Sequence, residues 1–317
     1  MMRLSSGQLG SVCAFFAVFF FVTNDTTIKF LSGDYALHQV VLIRSLLALV
    51  LTMCAIAPFK GGFAIFKTKR LPQHFLRGGF TVMANMTFFL GLAAMPLADA
   101  TAIFFISPIL ITLFSIIFLG ESVGPWRWAA ILIGFVGVLI MIKPGTGSFQ
   151  YASFYPLVAA LCYASLNTMT RQMGSTESAA TLSVYIQVTF IIVTLLIGLA
   201  IGDGRYGDQT DPALKFLLRE WTWPNLSDLK YFLIVGIGVA GGGFLISQAY
   251  RVAEAAFVAP FEYVAMPLAV LYGIFIFDEW PEPMAYLGMT FIVGAGIITI
   301  WREAVNRKAA QRPRTRR

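Results

Sequence analysis

Asp25, Lys29, Arg44 and Glu262 stand inside otherwise apolar stretches of this 317-residue sequence. An ionisable side chain held in an apolar run is expensive, so each is a candidate for chemistry. Asp25 and Lys29 are four residues apart and share one helix face, beside Asn24. Such a pair either neutralises itself to lower its burial cost or offers charge to a solute or a proton. Arg44 is a permanent cation, suited to bridging Asp25 or an external carboxylate, or to receiving an anionic group. Glu262 lies between Pro260 and Pro267. Each proline removes one backbone hydrogen bond, and the broken helices that result line cavities. An acid placed there can take up and release a proton, or serve as a satisfied structural acid. Glu262 ranks first and Asp25 second as proton-coupling candidates.

Asn85, Tyr163, Asn167, Gln187, Gln248 and Tyr263 are uncharged polar residues in the same kind of surroundings. They can hydrogen-bond a planar solute, or tie helices together for about 1 kcal/mol each. With Asn24, Asp25, Arg44 and Glu262 they form the candidate binding set. Catalysis finds little support. The chain has two histidines, His38 and His74, no metal-ligand spacing and no nucleophile beside a base. No enzyme, cofactor or metal is expected. Gly236, Gly238 and Gly241 match a dinucleotide fingerprint but sit in an apolar run with no preceding strand. Gly238 and Gly242 also make a GxxxG pair, and close helix approach accounts for all of them.

These residues must be positioned by membrane helices. The hydrophobic fraction is 58%, the charged fraction 12% and the mean hydropathy +0.76, too apolar for a water-soluble domain of this length. Apolar runs of about 20 residues match the hydrocarbon thickness of a bilayer. Ten spans are expected, near 9–31, 37–58, 74–95, 98–119, 126–143, 151–173, 179–202, 229–251, 254–277 and 283–301. The fold class is therefore an all-α polytopic membrane protein. The three cysteines (Cys13, Cys54 and Cys162) fall within spans and read as buried packing residues. The first apolar run has no small-residue cleavage site and reads as a retained helix.

Basic residues set the orientation. Lys60, Lys67, Lys69, Arg70 and Arg77 cluster between spans two and three, which places that loop in the cytoplasm. Ten spans then put both termini inside, in the cytoplasmic (inner) membrane. Sixteen basic residues fall inside and five outside: Lys143, Arg205, Lys215, Arg219 and Lys230. The net charge of +7 does not point to nucleic acid, because seven of the 23 basic residues stand at positions 302–317. That tail reads as an anchor beside anionic lipid. In the external loop, Leu214, Leu217, Leu218 and Trp221 share a helical face and are expected to rest on the membrane interface.

The chain also repeats itself. Asn24, Thr27 and Arg44 recur as Asn167, Thr170 and Gln187 at an offset of 143, and Ala98 recurs as Ala253 at 155. IFLGES (117–122) and IFDEW (276–280) each close an apolar span on an acidic residue. Five spans per half invert one half relative to the other, which puts Glu121 inside and Glu279 outside. The expected units are 1–146, 147–303 and a basic cytoplasmic tail, 304–317. Two inverted halves point to a carrier that rocks around a central site.

On these residues the chain resembles the drug/metabolite transporter superfamily, in its ten-helix branch built of two EamA domains. The resemblance covers roughly residues 9–302. It rests on Leu119-Gly120-Glu121, Asp278-Glu279, Pro108, Pro267, Arg44 and the glycines Gly134, Gly137, Gly288 and Gly294. Asp278 departs from the Gly usual before Glu279, and Ala130 stands where Gly288 does in the other half. The resemblance implies a secondary carrier of small organic metabolites, with a central cavity lined by both halves and spans five and ten at the periphery. It is most like uptake carriers of cofactor-type solutes such as riboflavin or S-adenosylmethionine. Export of amino acids or related metabolites is the alternative, and a non-transporting sensor or scaffold the alternative of another class. The partners expected are a small-molecule substrate and the lipid bilayer, with room for a homodimer.

Overall fold

The computed structural model describes residues 6–55, 58, 62–121, 124–142 and 151–310. Among the described residues there are helices and no strands. Ser122, Lys60, Lys143 and the arginines of 311–317 lie outside them, as do the side chains of Arg127, Pro260 and Tyr263.

The helices are α1 (Ser6–Leu31), α2 (Leu37–Ala55), α3 (Leu71–Ala94), α4 (Leu97–Phe104), α5 (Ser107–Leu119), α6 (Pro125–Ile142), α7 (Phe154–Met173), α8 (Ala179–Ile201), α9 (Pro212–Leu218), α10 (Leu229–Val252), α11 (Ala255–Val258), α12 (Ala265–Phe277) and α13 (Pro283–Ala310). Among the described residues, six helical stretches are long and apolar enough to cross a membrane, namely α1, α2, α3, α4 with α5, α8 and 226–252. Shorter apolar helices add 128–137, 265–277 and 283–298. The protein is a multi-pass membrane protein.

Local chemistry sets the helix ends. Ser178 Oγ accepts from Thr181 N at 3.0 Å, and Asp211 Oδ1 from Leu214 N at 2.9 Å, capping α8 and α9. Proline opens α3, α5 and α9, where a missing N–H costs nothing. Within the helices, hydroxyls such as Thr27, Thr81, Thr170 and Thr189 donate to the carbonyl four residues back, so these polar groups need no water. The outer faces are apolar, with Phe16 on α1, Phe118 on α5 and Leu199 on α8 exposed, as lipid contact requires.

Two stretches are broken. Between α4 and α5 the chain turns at Phe105 and Ile106, just before Pro108. Between α11 and α12 runs a 3-10 segment, Ala259–Val264, which carries Glu262 and precedes Pro267. A tighter helix in mid-span is where a functional hinge is commonly found.

α1 packs on α10, α3 on α7, α2 on α8, and α6 on α13. Small residues allow the closest approaches. A Cβ on Gly242 would stand 2.9 Å from the Phe21 ring, and one on Gly236 would stand 2.7 Å from Leu47 Cβ. The glycine-rich run thus presses α10 against α1 and α2, as expected for close helix packing. A Cβ on Gly137 would come 2.7 Å from Gly288 O, where α6 meets α13.

Several expectations need correction. Cys54 is exposed, and only Cys13 and Cys162 are buried. Lys29 does not pair with Asp25; its Nζ lies 2.8 Å from Glu279 Oε1 and donates to Met95 O at 2.9 Å. On α9 it is Ala213 and Phe216 that are buried in the core, while Leu214 and Trp221 of the expected interfacial face stay exposed. Arg219 donates to Ser32 O at 3.0 Å, and Tyr35 donates to Asp228 Oδ2 at 2.6 Å, which fastens the long loop to the start of α2. Arg77 belongs to α3 rather than to a loop and is 1% exposed.

Candidate functional site

A cavity of about 140 Å³ lies among α1, α2, α3, α4, α7, α8, α10 and the 3-10 segment. Seven of the ten sequence-derived candidates border it: Asn24, Asp25, Arg44, Asn85, Tyr163, Gln187 and Glu262. Among the described residues, α6 and α13 contribute nothing to its lining, and the two pack mainly on each other.

Arg44 is 1% exposed and held on four sides. Nη1 donates to Asn24 Oδ1 at 3.3 Å and Nη2 to Asn85 Oδ1 at 3.0 Å. The guanidinium carbon sits 5.0 Å from the Phe89 ring centroid and 5.0 Å from that of Phe190. Two ring faces and two amides fix the plane of the charge. Asn24 in turn donates to Asp25 Oδ1 at 3.0 Å. Gln187, one turn before Phe190 on α8, is buried with Oε1 unpartnered.

Glu262 is bonded by two tyrosines. Tyr163 donates to Oε2 at 2.8 Å, and Tyr250 donates to Oε1. Tyr163 comes from α7 and Tyr250 from α10, so both helices hold the acid of the broken segment. A phenol is a neutral donor, which steadies a carboxylate without cancelling its charge.

The candidates outside the cavity are engaged elsewhere. Asn167 is 1% exposed and donates to Tyr163 O at 3.0 Å, one turn back on α7. Gln248 Oε1 accepts from Arg251 Nε at 3.1 Å. The Tyr263 side chain lies outside the described residues.

Arg77 is the lining residue that sequence reasoning missed. Its guanidinium donates to Thr170 Oγ1 at 2.6 Å, Leu182 O at 2.9 Å and Ser247 Oγ at 3.4 Å. The expected third span, 74–95, already contains Arg77, although its charge counts with the loop cations, and the helix begins earlier still, at Leu71-Pro72.

The cavity therefore holds two guanidiniums and two carboxyls, with no ion pair within 4.0 Å among these four. Each is hydrogen-bonded to uncharged groups instead. Aromatic rings (Phe21, Phe88, Phe104, Phe105) supply much of the remaining wall. Such a site can recognise a polar molecule that carries a flat ring and charge. Among the described residues, no group of three or more His, Cys, Asp or Glu is placed to hold a metal.

Residues 8–143 match the EamA-like transporter family. The riboflavin transporter of Vibrio cholerae is 31% identical over 286 residues, covering 87% of this chain and 89% of that protein. The S-adenosylmethionine uptake transporter of Rickettsia bellii is 25% identical, covering 88% and 89% respectively. The pseudopaline exporter of Pseudomonas aeruginosa is 26% identical, covering 93% and 95%. A protein of known crystal structure superposes with a TM-score of 0.69 at 16% identity, over 95% of this chain and 98% of the other, which shows a shared fold.

Proposed function

This chain belongs to the EamA-like transporter family, a transporter of small metabolites, and on that premise we propose that it moves a ring-bearing, polar cofactor-type solute by alternating access. The observation that carries the reading is the cavity between the halves, where two arginines and two carboxyls face a common space without pairing. Charge buried at that depth costs a few kcal/mol per group, which a solute with complementary charge offsets while bound.

Two inverted five-helix halves, 1–146 and 147–303, supply the motion. The helix pairings support this division, because exchanging the halves turns the α1–α10 pairing into the α7–α3 pairing and returns α2–α8 and α6–α13 to themselves. The cluster of basic residues between α2 and α3 supports an orientation with both termini in the cytoplasm and Glu279 external. The proton-coupling role falls to Glu262, an acid that borders the cavity on the broken segment and is held by the neutral phenols of Tyr163 and Tyr250. Asp25 serves as the second acid. Riboflavin and S-adenosylmethionine are the solutes to try first, because relatives that span most of the chain carry those names.

The test is uptake of each labelled compound into proteoliposomes, with and without an imposed pH gradient. Saturable uptake of either supports the reading, and a pH-gradient stimulation supports the coupling. Uptake of neither removes the cofactor-type substrate class.

A further inference from the structure

A salt bridge is the usual way to bury an arginine, and Arg77 has none. Among the described residues no carboxylate lies within 4.0 Å of its guanidinium. The nearby acid Glu177 is instead 3.6 Å from His74 and accepts from Thr68 at 2.7 Å. The three groups that Arg77 does meet are a threonine hydroxyl, a serine hydroxyl and a backbone carbonyl. A neutral donor would satisfy those acceptors equally well. What they leave uncompensated is a full positive charge, 1% exposed, at the edge of the cavity. Leaving such a charge without an anion costs several kcal/mol.

The cage is also rigid. Thr170, Leu182 and Ser247 belong to α7, α8 and α10, so three helices hold one planar fork. Beside it, α3 and α8 press so closely that a Cβ on Gly78 would come 2.2 Å from Thr189 Oγ1. A guanidinium carries five N–H groups, and three are spent on protein oxygens. The remaining two sit on the terminal nitrogens, the edge that meets carboxylate or phosphate oxygens. A fork locked before its partner arrives loses little entropy on binding.

We infer that Arg77 is an anion anchor of the cavity, which receives a carboxylate or phosphate group of the transported molecule. The inference rests on the carrier reading above and narrows its substrate class to anion-bearing solutes. Of the two compounds proposed there, S-adenosylmethionine carries such a group and riboflavin does not.

Binding to the purified full chain is measured for two matched pairs. One is riboflavin with riboflavin 5′-phosphate; the other is S-adenosylmethionine with its decarboxylated form. In at least one pair the wild type is expected to bind the phosphate or carboxylate member roughly 10-fold more tightly. Which pair responds tells the two anion sources apart. In Arg77→Gln the preference should shrink to about twofold, because the anionic member loses several-fold more affinity than the member lacking the anion. A merely structural arginine would lower both affinities together, and that result overturns the inference. Equal binding of both members by the wild type overturns it too. If Arg77→Gln does not yield folded protein, Arg77→Lys replaces it; a point charge without the fork should weaken the anionic member several-fold more than the other. If the wild type binds none of the four, the cofactor-type reading falls, and inorganic phosphate and acetate become the probes. A melting temperature raised by either in wild type but not in the variant sustains the anchor; no rise in wild type overturns it.

Discussion

Lys29 and Glu279 form an ion pair of 2.8 Å between residues 250 positions apart, and the same carboxylate accepts from Leu97 N at 3.0 Å. Glu279 thus neutralises a buried lysine and satisfies an open amide at the start of α4. Glu121 repeats the arrangement with α11. It accepts from Ala255 N at 3.3 Å and lies 3.7 Å from Arg171 Nε. Each of these acids therefore caps the broken stretch that the other one ends. They tie elements together at two places and take no part in the cavity.

Removing Glu279 should therefore unsettle the fold more than the transport site. Lys29 is 11% exposed and Glu279 26%, a pair mostly withdrawn from solvent. Glu279→Gln removes the carboxylate bonded to Lys29 and should cost about 2 kcal/mol, between the values for exposed and buried pairs. The reading is a lowered melting temperature in detergent. Lys29→Met combined with Glu279→Gln should lose less than the two single changes summed. Strict additivity would show that the contact contributes nothing.

Glu262→Gln keeps the side-chain volume and one oxygen for a tyrosine but cannot exchange a proton. The variant should insert and purify as wild type does, because Tyr163 and Tyr250 still find a partner in the amide. Stimulation of uptake by a pH gradient should vanish. Proteoliposome uptake at matched and mismatched pH checks this, and a wild-type response to the gradient would remove Glu262 from the coupling step.

For Arg44 the surrounding geometry predicts a graded response. Arg44→Lys retains the charge but loses the flat surface between Phe89 and Phe190 and the two-pronged contact with Asn24 and Asn85. Arg44→Gln loses the charge as well. Affinity for an anionic solute should fall by roughly 10-fold in the first and about 100-fold in the second. Equal effects would mean that stacking and shape, rather than charge, govern the position.

Much of this site could be read from one sequence because membranes make polar residues conspicuous. Asp25, Arg44 and Glu262 stood out against apolar runs, and all three border the cavity. The prolines marked both breaks. Arg77 was hidden by composition: it follows Lys67, Lys69 and Arg70 closely enough to pass as one more loop cation, although Leu71-Pro72 had already begun the helix. The partner of Lys29 was invisible for another reason. The i,i+4 rule names the neighbour along the helix, whereas at a helix end the deciding neighbour comes from a distant strand of sequence. Near α9 the large apolar residues Leu214 and Trp221 were legible and stay exposed, whereas the pair that turns to the core, Ala213 and Phe216, lay outside that reading. Asn167 matched Asn24 by repeat spacing, yet its amide turned back to Tyr163 O. Repeat spacing fixes where a backbone lies, and the side chain then follows its nearest partner.

Asp278 is a place where the residue and its backbone conformation disagree. Its φ is 54°, the positive value that Gly120 adopts at the end of α5, where φ is 67°. The two residues end α12 and α5, and in each case the next acid's amide bonds back to the helix, Glu279 N to Gly273 O at 3.0 Å and Glu121 N to Ser115 O at 3.1 Å. Left-handed backbone costs an L-residue about 1 kcal/mol, less for Asp than for most. Asp278 recovers part of that cost by accepting from Trp280 Nε1 at 3.2 Å, an exposed contact. Asp278→Gly should therefore raise the melting temperature slightly, because strain is relieved and only a surface hydrogen bond is lost. Asp278→Val should lower it by several degrees, since a β-branched residue tolerates that region poorly. Both are read by thermal unfolding in detergent. If Asp278→Gly destabilises instead, the Trp280 contact outweighs the backbone strain, and the acid earns its place through its side chain.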